Sequence, residues 1–346
     1  MRFYSQQRAK TLSVATFFGV KMTKKILKTL LKMKKKQVPL DVNCTFRQLT
    51  TLGTGGTIYL TVFPQNLKQL IFVARYLRRH KVLHCFLGHG SNVLASDLPY
   101  HGVVVVTTRV KNIVVSNDVV RADCGASTSK LCSELVQNGL SGGEFFGCLP
   151  ATVGGAVVCN AGCFGQCAAD VVQSVTVLRK GKVKTLSVLQ CNFSKRQSVF
   201  KNNGQYVVLQ ATMKFSKSSS QQIDQVLAQM RKTKAETQPL GVRSAGCVLY
   251  SDSAPVSKLI DLAGLKGYTV GGAQVSEKHA GFVINVDKAT SQDIYLLIER
   301  IRQTLLNKFG VEAEREVCLV NFPQQKEAKC HFLKALRKKF SKISKK

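Results

Sequence analysis

The stretch "GLSGGEFFGCLPATVGGAVVCNAG", residues 139–162, decides how the rest of the chain is read. It sets glycines, a proline and small residues among apolar ones, and neither a helical nor an alternating period runs through it. Pro150 stiffens the approach to a loop, Thr152 offers a hydroxyl beside Val153, and Gly154 and Gly155 let backbone come close to a ligand. A second loop, "LGHGSN" at 87–92, follows the apolar run "VLHCF". Gly88, His89, Gly90, Ser91 and Asn92 present backbone N–H groups and polar side chains there, which suits a phosphate. As a dinucleotide fingerprint the loop is poor, because it lacks the third glycine and a helix behind it. One glycine loop is usually a turn. Two in one domain point to a large phosphate-bearing cofactor.

Working outward, "QNLKQLIFVARYLRRH" (65–80) has helical periodicity, and the segments "HGVVVVTT", "NIVVS" and "VVRADCG" read as strands. A helix is expected at "TSKLCSELVQNG", a hairpin around Gly181 and a strand at "QYVVLQATMKF". The serine-rich "SKSSSQQ" (216–222) reads as a domain boundary. Beyond it helices are expected at 220–234, 254–264 and 289–309, with short strands at "GFVINV" and "REVCLVNF". The expected division is a basic N-terminal extension (1–36), a first domain (37–219), a smaller α+β domain (220–323) and a basic tail (324–346). "RSAGCVLY" (243–250) opens the second domain, which sets Cys247 toward the cleft between domains, where ligands prefer to bind.

The chain has 346 residues and a net charge of +32. Residues 1–36 carry eleven Lys/Arg and no acid, and residues 324–346 carry nine against one Glu, so the termini hold more than half of that excess. Basic tails attract phosphates without sequence preference, but no nucleic-acid-binding motif accompanies them, and solvated tails are the plainer reading. Two apolar stripes lie among the lysines, Ile26–Leu27–Leu30–Leu31 and Phe332–Leu336–Phe340–Ile343. Either stripe fits an anionic membrane surface or the protein's own body. "TLSVATFFGV" (11–20) is short and polar for a signal peptide, and Met22 is an alternative start. The twelve cysteines sit mostly in apolar company, as reduced thiols of a cytoplasmic protein do. Cys159, Cys163 and Cys167 recur at a spacing of four that matches no metal-ligand pattern, so no metal is expected.

Taken in order, the motifs resemble the UDP-N-acetylenolpyruvoylglucosamine reductase (MurB) family over roughly residues 43–322. They are "TTLGTGG" (50–56), "LGHGSNVLASD" (87–97), the stretch from 139 to 165, "KRQSVFK" (195–201), "TQPLGVRSAGCVLY" (237–250), "GLKGYTVGGAQVSEKHAGFVIN" (264–285) and "FGVEAEREVCLV" (309–320). The resemblance implies an α+β protein: an FAD-binding region of the vanillyl-alcohol-oxidase (PCMH) type, then a smaller substrate domain. The implied reaction reduces the enolpyruvyl ether of UDP-N-acetylglucosamine with NADPH, through FAD, in peptidoglycan synthesis. It also implies a cytoplasmic protein, and we expect a monomer without a specific nucleic-acid partner. The short spacing from Arg196 to Cys247 fits the subgroup without the extra substrate-capping insertion.

Hydride addition to the alkene puts negative charge on the neighbouring carboxylate and leaves one carbon needing a proton. By the resemblance, Arg196 is the catalytic arginine, a permanently charged fork suited to that carboxylate. Glu316 is the catalytic glutamate, protonated and polarising the same group. Cys247 stands where the family places a proton-donating serine, and a thiol can do the same work. There are departures: Phe164 stands where some relatives have a substrate-touching tyrosine, and Ala151 replaces a common glycine. Tyr250 and Ser251 replace the usual Lys–Asn, while His279 aligns with a polar position on the substrate side. Two rivals remain at this level: another flavin oxidoreductase of the same fold, and a basic nucleic-acid- or membrane-binding protein with a vestigial flavin site.

Overall fold

Helices begin where the sequence supplies a cap. Asn66 accepts from the Gln69 amide to open Leu67–Arg79, Ser127 from Lys130 to open Thr128–Gln137, and Ser219 from Gln222 to open Ser220–Thr237. Thr290 and Asp293 form a reciprocal capping box at the head of Ser291–Phe309, which Gly310 ends in a left-handed conformation. The chain is described by a computed structural model over residues 23–201 and 203–322. Met22, the 11–20 segment, the stripe from Phe332 to Ile343 and the 324–346 tail lie outside those residues.

The fold is mixed α+β. In the first domain, Ile58–Val62, Tyr100–Val106 and His84–Leu87 run parallel, with Leu40–Asp41 antiparallel at one edge. Side chains alternate across that sheet. Val103 and Val105 enter the main core with Leu70, Val73 and Leu77 of the 67–79 helix, while Tyr100, Val104 and Val106 meet Phe46 in a smaller cluster behind it. A five-stranded antiparallel sheet follows, ordered 182–187, 172–179, 206–214, 119–123, 113–116. Its first two strands are the hairpin expected around Gly181. Within the glycine-rich stretch, helix Val153–Val158 packs on the 206–214 and 119–123 strands.

The N-terminal stripe docks on the protein itself. Helix Lys24–Lys35 buries Ile26, Leu30 and Met33 in the main core and turns its lysines outward. Residues 24–35 are therefore part of the folded body and not a free basic extension. The main core also runs past the serine-rich stretch, because Leu227 of the 220–237 helix belongs to it and Met230 packs against it.

A second core starts near Ala245 and centres on Ile294, Leu297, Ile298 and Ile301 of the 291–309 helix. That helix covers an antiparallel sheet ordered 244–247, 282–285, 273–275, 269–270. The two bodies interlock. Leu52 and Leu94 from the first part of the chain join the second core, and Cys318–Val320 returns to pair in parallel with Val93–Ala95. Among the described residues, no helix is long and apolar enough to cross a membrane.

Candidate functional site

A cavity of about 700 Å³ opens where the two bodies meet, lined by both glycine loops and by Arg196, Cys247 and Glu316. The loops touch each other: a Cβ added to Gly88 would lie 2.4 Å from Thr152 Oγ1. Gly90 holds φ +66, and a Cβ there would lie 2.1 Å from the Leu49 carbonyl oxygen, so only glycine fits.

The loops differ in what they offer. Among the described residues, the backbone N–H groups of Gly88, His89, Gly90, Ser91 and Asn92 have no acceptor. Asn92 Nδ2 donates to the Glu316 carbonyl at 3.2 Å, while its Oδ1 is buried without a partner. In the second loop the amides are already used. Val153 and Gly154 donate to the Ala126 and Cys124 carbonyls, both at 2.8 Å, and Gly155 donates to Thr152 Oγ1 at 3.2 Å. Gly154 packs closely against Cys124, Val153 faces the core, and Thr152, Gly154 and Gly155 line the cavity. Ala151 and Pro150 line the cavity, and Ala151 needs no left-handed backbone. A row of five unused amides fits a diphosphate, and the unpaired Asn92 Oδ1 fits a polar ring edge, so these residues fit FAD.

Arg196 stands on a tight turn closed by mutual backbone hydrogen bonds between Ser194 and Gln197. Its φ is +57, a conformation ordinary residues avoid. Its Nε meets Glu316 Oε1 at 2.8 Å and its Nη2 donates to the Gly162 carbonyl at 2.8 Å. Among the described residues Nη1 has no acceptor. The buried Lys201 donates from Nζ to the Arg196 carbonyl at 2.9 Å. Glu316 donates its amide to the Val248 carbonyl at 2.9 Å, which fixes it beside the Cys247 strand. Burial pushes its carboxyl up from the usual range, and the Arg196, Lys201 and Lys195 cations pull the other way.

Cys247 ends the strand Ser244–Cys247, opposite Phe282, after Gly246 at φ +75. Burial, then the Glu316 charge, push its thiol up to about 11, against a hydrogen bond from Ser257 and the Arg196 cation. The thiol is therefore fully protonated at neutral pH. It has a proton to give.

Phe164 also lines the cavity, at φ +54 and 40% exposed. Ser251 and His279 do not line it. Ser251 is buried, its carbonyl accepts from Lys195 Nζ at 2.7 Å, and its hydroxyl meets Ser253. His279 sits behind Cys247, where its Nδ1 accepts from the Gly281 amide at 3.2 Å, and burial holds its pKa down. Both match motif positions in sequence, but neither is among the residues that line the cavity.

Other lining residues carried little signal. Thr51 lies in "TTLGTGG", Lys234 in the last turn of the 220–237 helix, and Leu240 and Val242 in "TQPLGVRSAGCVLY", where the motif did not single out these side chains. Cys159 and Cys318, which look like packing cysteines in their apolar runs, both line the cavity. Cys163 lines it too, and belongs with Cys167 to a small hairpin.

Residues 59–187 match the FAD binding domain family, and residues 192–320 match the family described as UDP-N-acetylenolpyruvoylglucosamine reductase, C-terminal domain. Fold and site together thus define an FAD-binding protein whose cavity is completed by a second, smaller domain. A UDP-N-acetylenolpyruvoylglucosamine reductase from Caldanaerobacter subterraneus subsp. tengcongensis is 36% identical over 287 residues, 82% of this chain and 95% of the relative. One from Fervidobacterium nodosum is 35% identical over 299 residues, 86% of this chain and 96% of the relative. The crystal structure of MurB from Thermus caldophilus matches with a TM-score of 0.68 at 25% identity, covering 82% of this chain and 98% of that one. The chain belongs to the UDP-N-acetylenolpyruvoylglucosamine reductase (MurB) family.

Proposed function

We infer that this protein reduces the enolpyruvyl group of UDP-N-acetylglucosamine enolpyruvate to give UDP-N-acetylmuramate, with NADPH as reductant and FAD as cofactor, in peptidoglycan synthesis. The observation that carries the reading is that Arg196, Glu316 and Cys247 line the same cavity as a phosphate-ready glycine loop, with Arg196 and Glu316 paired at 2.8 Å. Bound FAD supplies the two-electron chemistry, taking hydride from NADPH and passing it to the substrate alkene.

The chain's own groups handle charge and proton. Arg196 keeps one guanidinium nitrogen free of protein acceptors among the described residues, and that nitrogen can take a substrate carboxylate as it gains charge. Glu316 holds the guanidinium from the opposite edge and fixes its plane. Cys247, protonated and half-buried, is the proton donor for the ether carbon. The open Gly88–Asn92 amides hold the diphosphate of FAD, and Phe164 offers an apolar face where no hydroxyl contact is made.

We read the protein as a cytoplasmic monomer: all eleven described cysteines are free thiols, as in a reducing compartment. The N-terminal apolar stripe is spent on the core, so membrane contact through it is not part of this reading. The test is anaerobic reduction with NADPH followed by addition of the UDP-enolpyruvyl sugar. Reoxidation of the flavin with formation of the saturated lactyl ether supports the reading. Reduction followed by reoxidation only on admitting oxygen would instead favour a different flavin oxidoreductase.

A further inference from the structure

Behind the cavity wall, one side chain joins the three segments that carry Arg196, Cys247 and Glu316. Tyr250 lies three residues after Cys247 in the short strand Leu249–Tyr250, and its ladder partner is Glu314, two residues before Glu316. Its hydroxyl donates to Glu314 Oε2 at 2.6 Å and accepts from Gln197 Nε2 at 2.7 Å. Gln197 is the residue after Arg196 and closes its turn. Lys201, which holds the Arg196 carbonyl, places its ammonium 5.6 Å from the centre of the Tyr250 ring. Tyr250 is only 7% exposed and does not line the cavity. It cannot act by touching substrate from there.

The Arg196 turn needs an outside hold. A left-handed backbone at a non-glycine residue costs about 1–2 kcal/mol and persists only where its surroundings over-determine it. The turn belongs to the segment after the first domain's hairpin, whereas Cys247 ends a strand of the second body and Glu316 sits between the short strands Glu314–Arg315 and Cys318–Val320. Burial, then the Glu314 carboxylate, push the Tyr250 hydroxyl up to about 12, so it stays a donor to Glu314 over the working pH range.

We propose that Tyr250 is a positioning residue, whose hydroxyl locks the Arg196 turn against the segments that carry Cys247 and Glu316 and so sets the reach of the guanidinium toward the substrate carboxylate. The proposal rests on the role given to Arg196 above. Sequence alone shows Tyr250 only as a departure from the family's usual lysine. The structure gives the departure a task.

Tyr250→Phe keeps the ring under Lys201 and removes only the two hydroxyl bonds. The variant should purify folded with wild-type flavin content and accept electrons from NADPH at the wild-type rate. Its flavin should be reoxidised by saturating enolpyruvyl substrate about tenfold more slowly, the usual weight of a hydrogen bond to a charged partner. The same change made in an Arg196→Lys background should cause no further slowing, since the group it positions is already altered. Wild-type reoxidation by Tyr250→Phe would overturn the proposal, and so would equal slowing in both backgrounds, which marks an independent structural effect. If Arg196→Lys alone reoxidises normally, the role of Arg196 fails and the clamp falls with it.

Discussion

Replacing Cys247 with alanine should divide the reaction into an unaffected half and a crippled one. The change removes one sulfur atom and leaves the Arg196–Glu316 pair at 2.8 Å in place. Electron transfer from NADPH requires no proton at the substrate's ether carbon, so flavin reduction should proceed as in wild type. The substrate half does require that proton, and a positioned general acid is worth about 10²–10⁴ in rate. Reoxidation should slow by that factor. Cys247→Ser should retain far more, because a hydroxyl can occupy the same place. The pH profile supplies a second reading. A proton donor works below its pKa and is lost as pH rises through it. With the thiol pushed up to about 11, the substrate half of wild type should stay flat from about pH 7 to 9. An ordinary thiol near 8.5 would already have lost more than half its protonated form by then. Anaerobic stopped-flow traces of flavin absorbance in each half-reaction measure both effects. An alanine variant that reoxidises at the wild-type rate refutes the reasoning and makes Cys247 a packing residue.

Three further outcomes are expected. Deleting residues 1–36 should lower the melting temperature sharply or prevent folding, because Ile26, Leu30 and Met33 leave the core at about 1.5–3 kcal/mol each; deleting 1–22 should leave melting and turnover unchanged. Gly90→Ala should lose flavin, since its Cβ would sit 2.1 Å from the Leu49 carbonyl oxygen at a left-handed φ, and absorbance of the purified protein reads flavin content directly. Denaturant unfolding should show stability falling as pH rises above about 9. Burial lifts Cys124 from 9.0 to about 12, so its contribution is complete below the unfolded value and disappears as pH rises toward the folded one, on the order of 4 kcal/mol in all. A stability curve flat to pH 11 would contradict that.

The helices were legible because their caps and periods are local. Asn66, Ser127, Ser219 and Thr290 announce helix starts that no tertiary contact needs to explain. The N-terminal stripe was visible too, but not its fate, since a membrane and a protein core bury the same apolar face. Even its direction was only partly legible: Leu31 is 57% exposed, while Met33, outside the stripe, is fully buried. The serine-rich run at 216–222 signals surface exposure and nothing more, and so could not show that Leu227 beyond it still belongs to the first core. The two glycine loops looked equivalent because glycine spacing is silent about where amide hydrogens go. Only the carbonyls of Cys124 and Ala126, far away in sequence, reveal that the second loop has spent its donors. For the same reason Ser251 and His279 match motif positions yet are not among the cavity's lining residues.

The interlock of the two bodies bears on how the site is held. The parallel pairing of Val93–Ala95 with Cys318–Val320 begins directly after Asn92 on one strand and two residues after Glu316 on the other. Cys318 donates its amide to the Asn92 carbonyl at 3.0 Å, and Asn92 Nδ2 answers to the Glu316 carbonyl at 3.2 Å. The loop that offers its amides to a diphosphate and the segment that carries the glutamate are thus successive parts of one hydrogen-bonded ladder. A cleft between freely moving domains could not keep those two features in register. Here the second domain is built around the cofactor wall, and the Arg196 turn is tied to both. That turn reaches Glu316 through its side chain and the second body through Lys195, Gln197 and Lys201. A group that must follow charge as it develops on a substrate is best carried on such a turn, held at several points but outside both sheets.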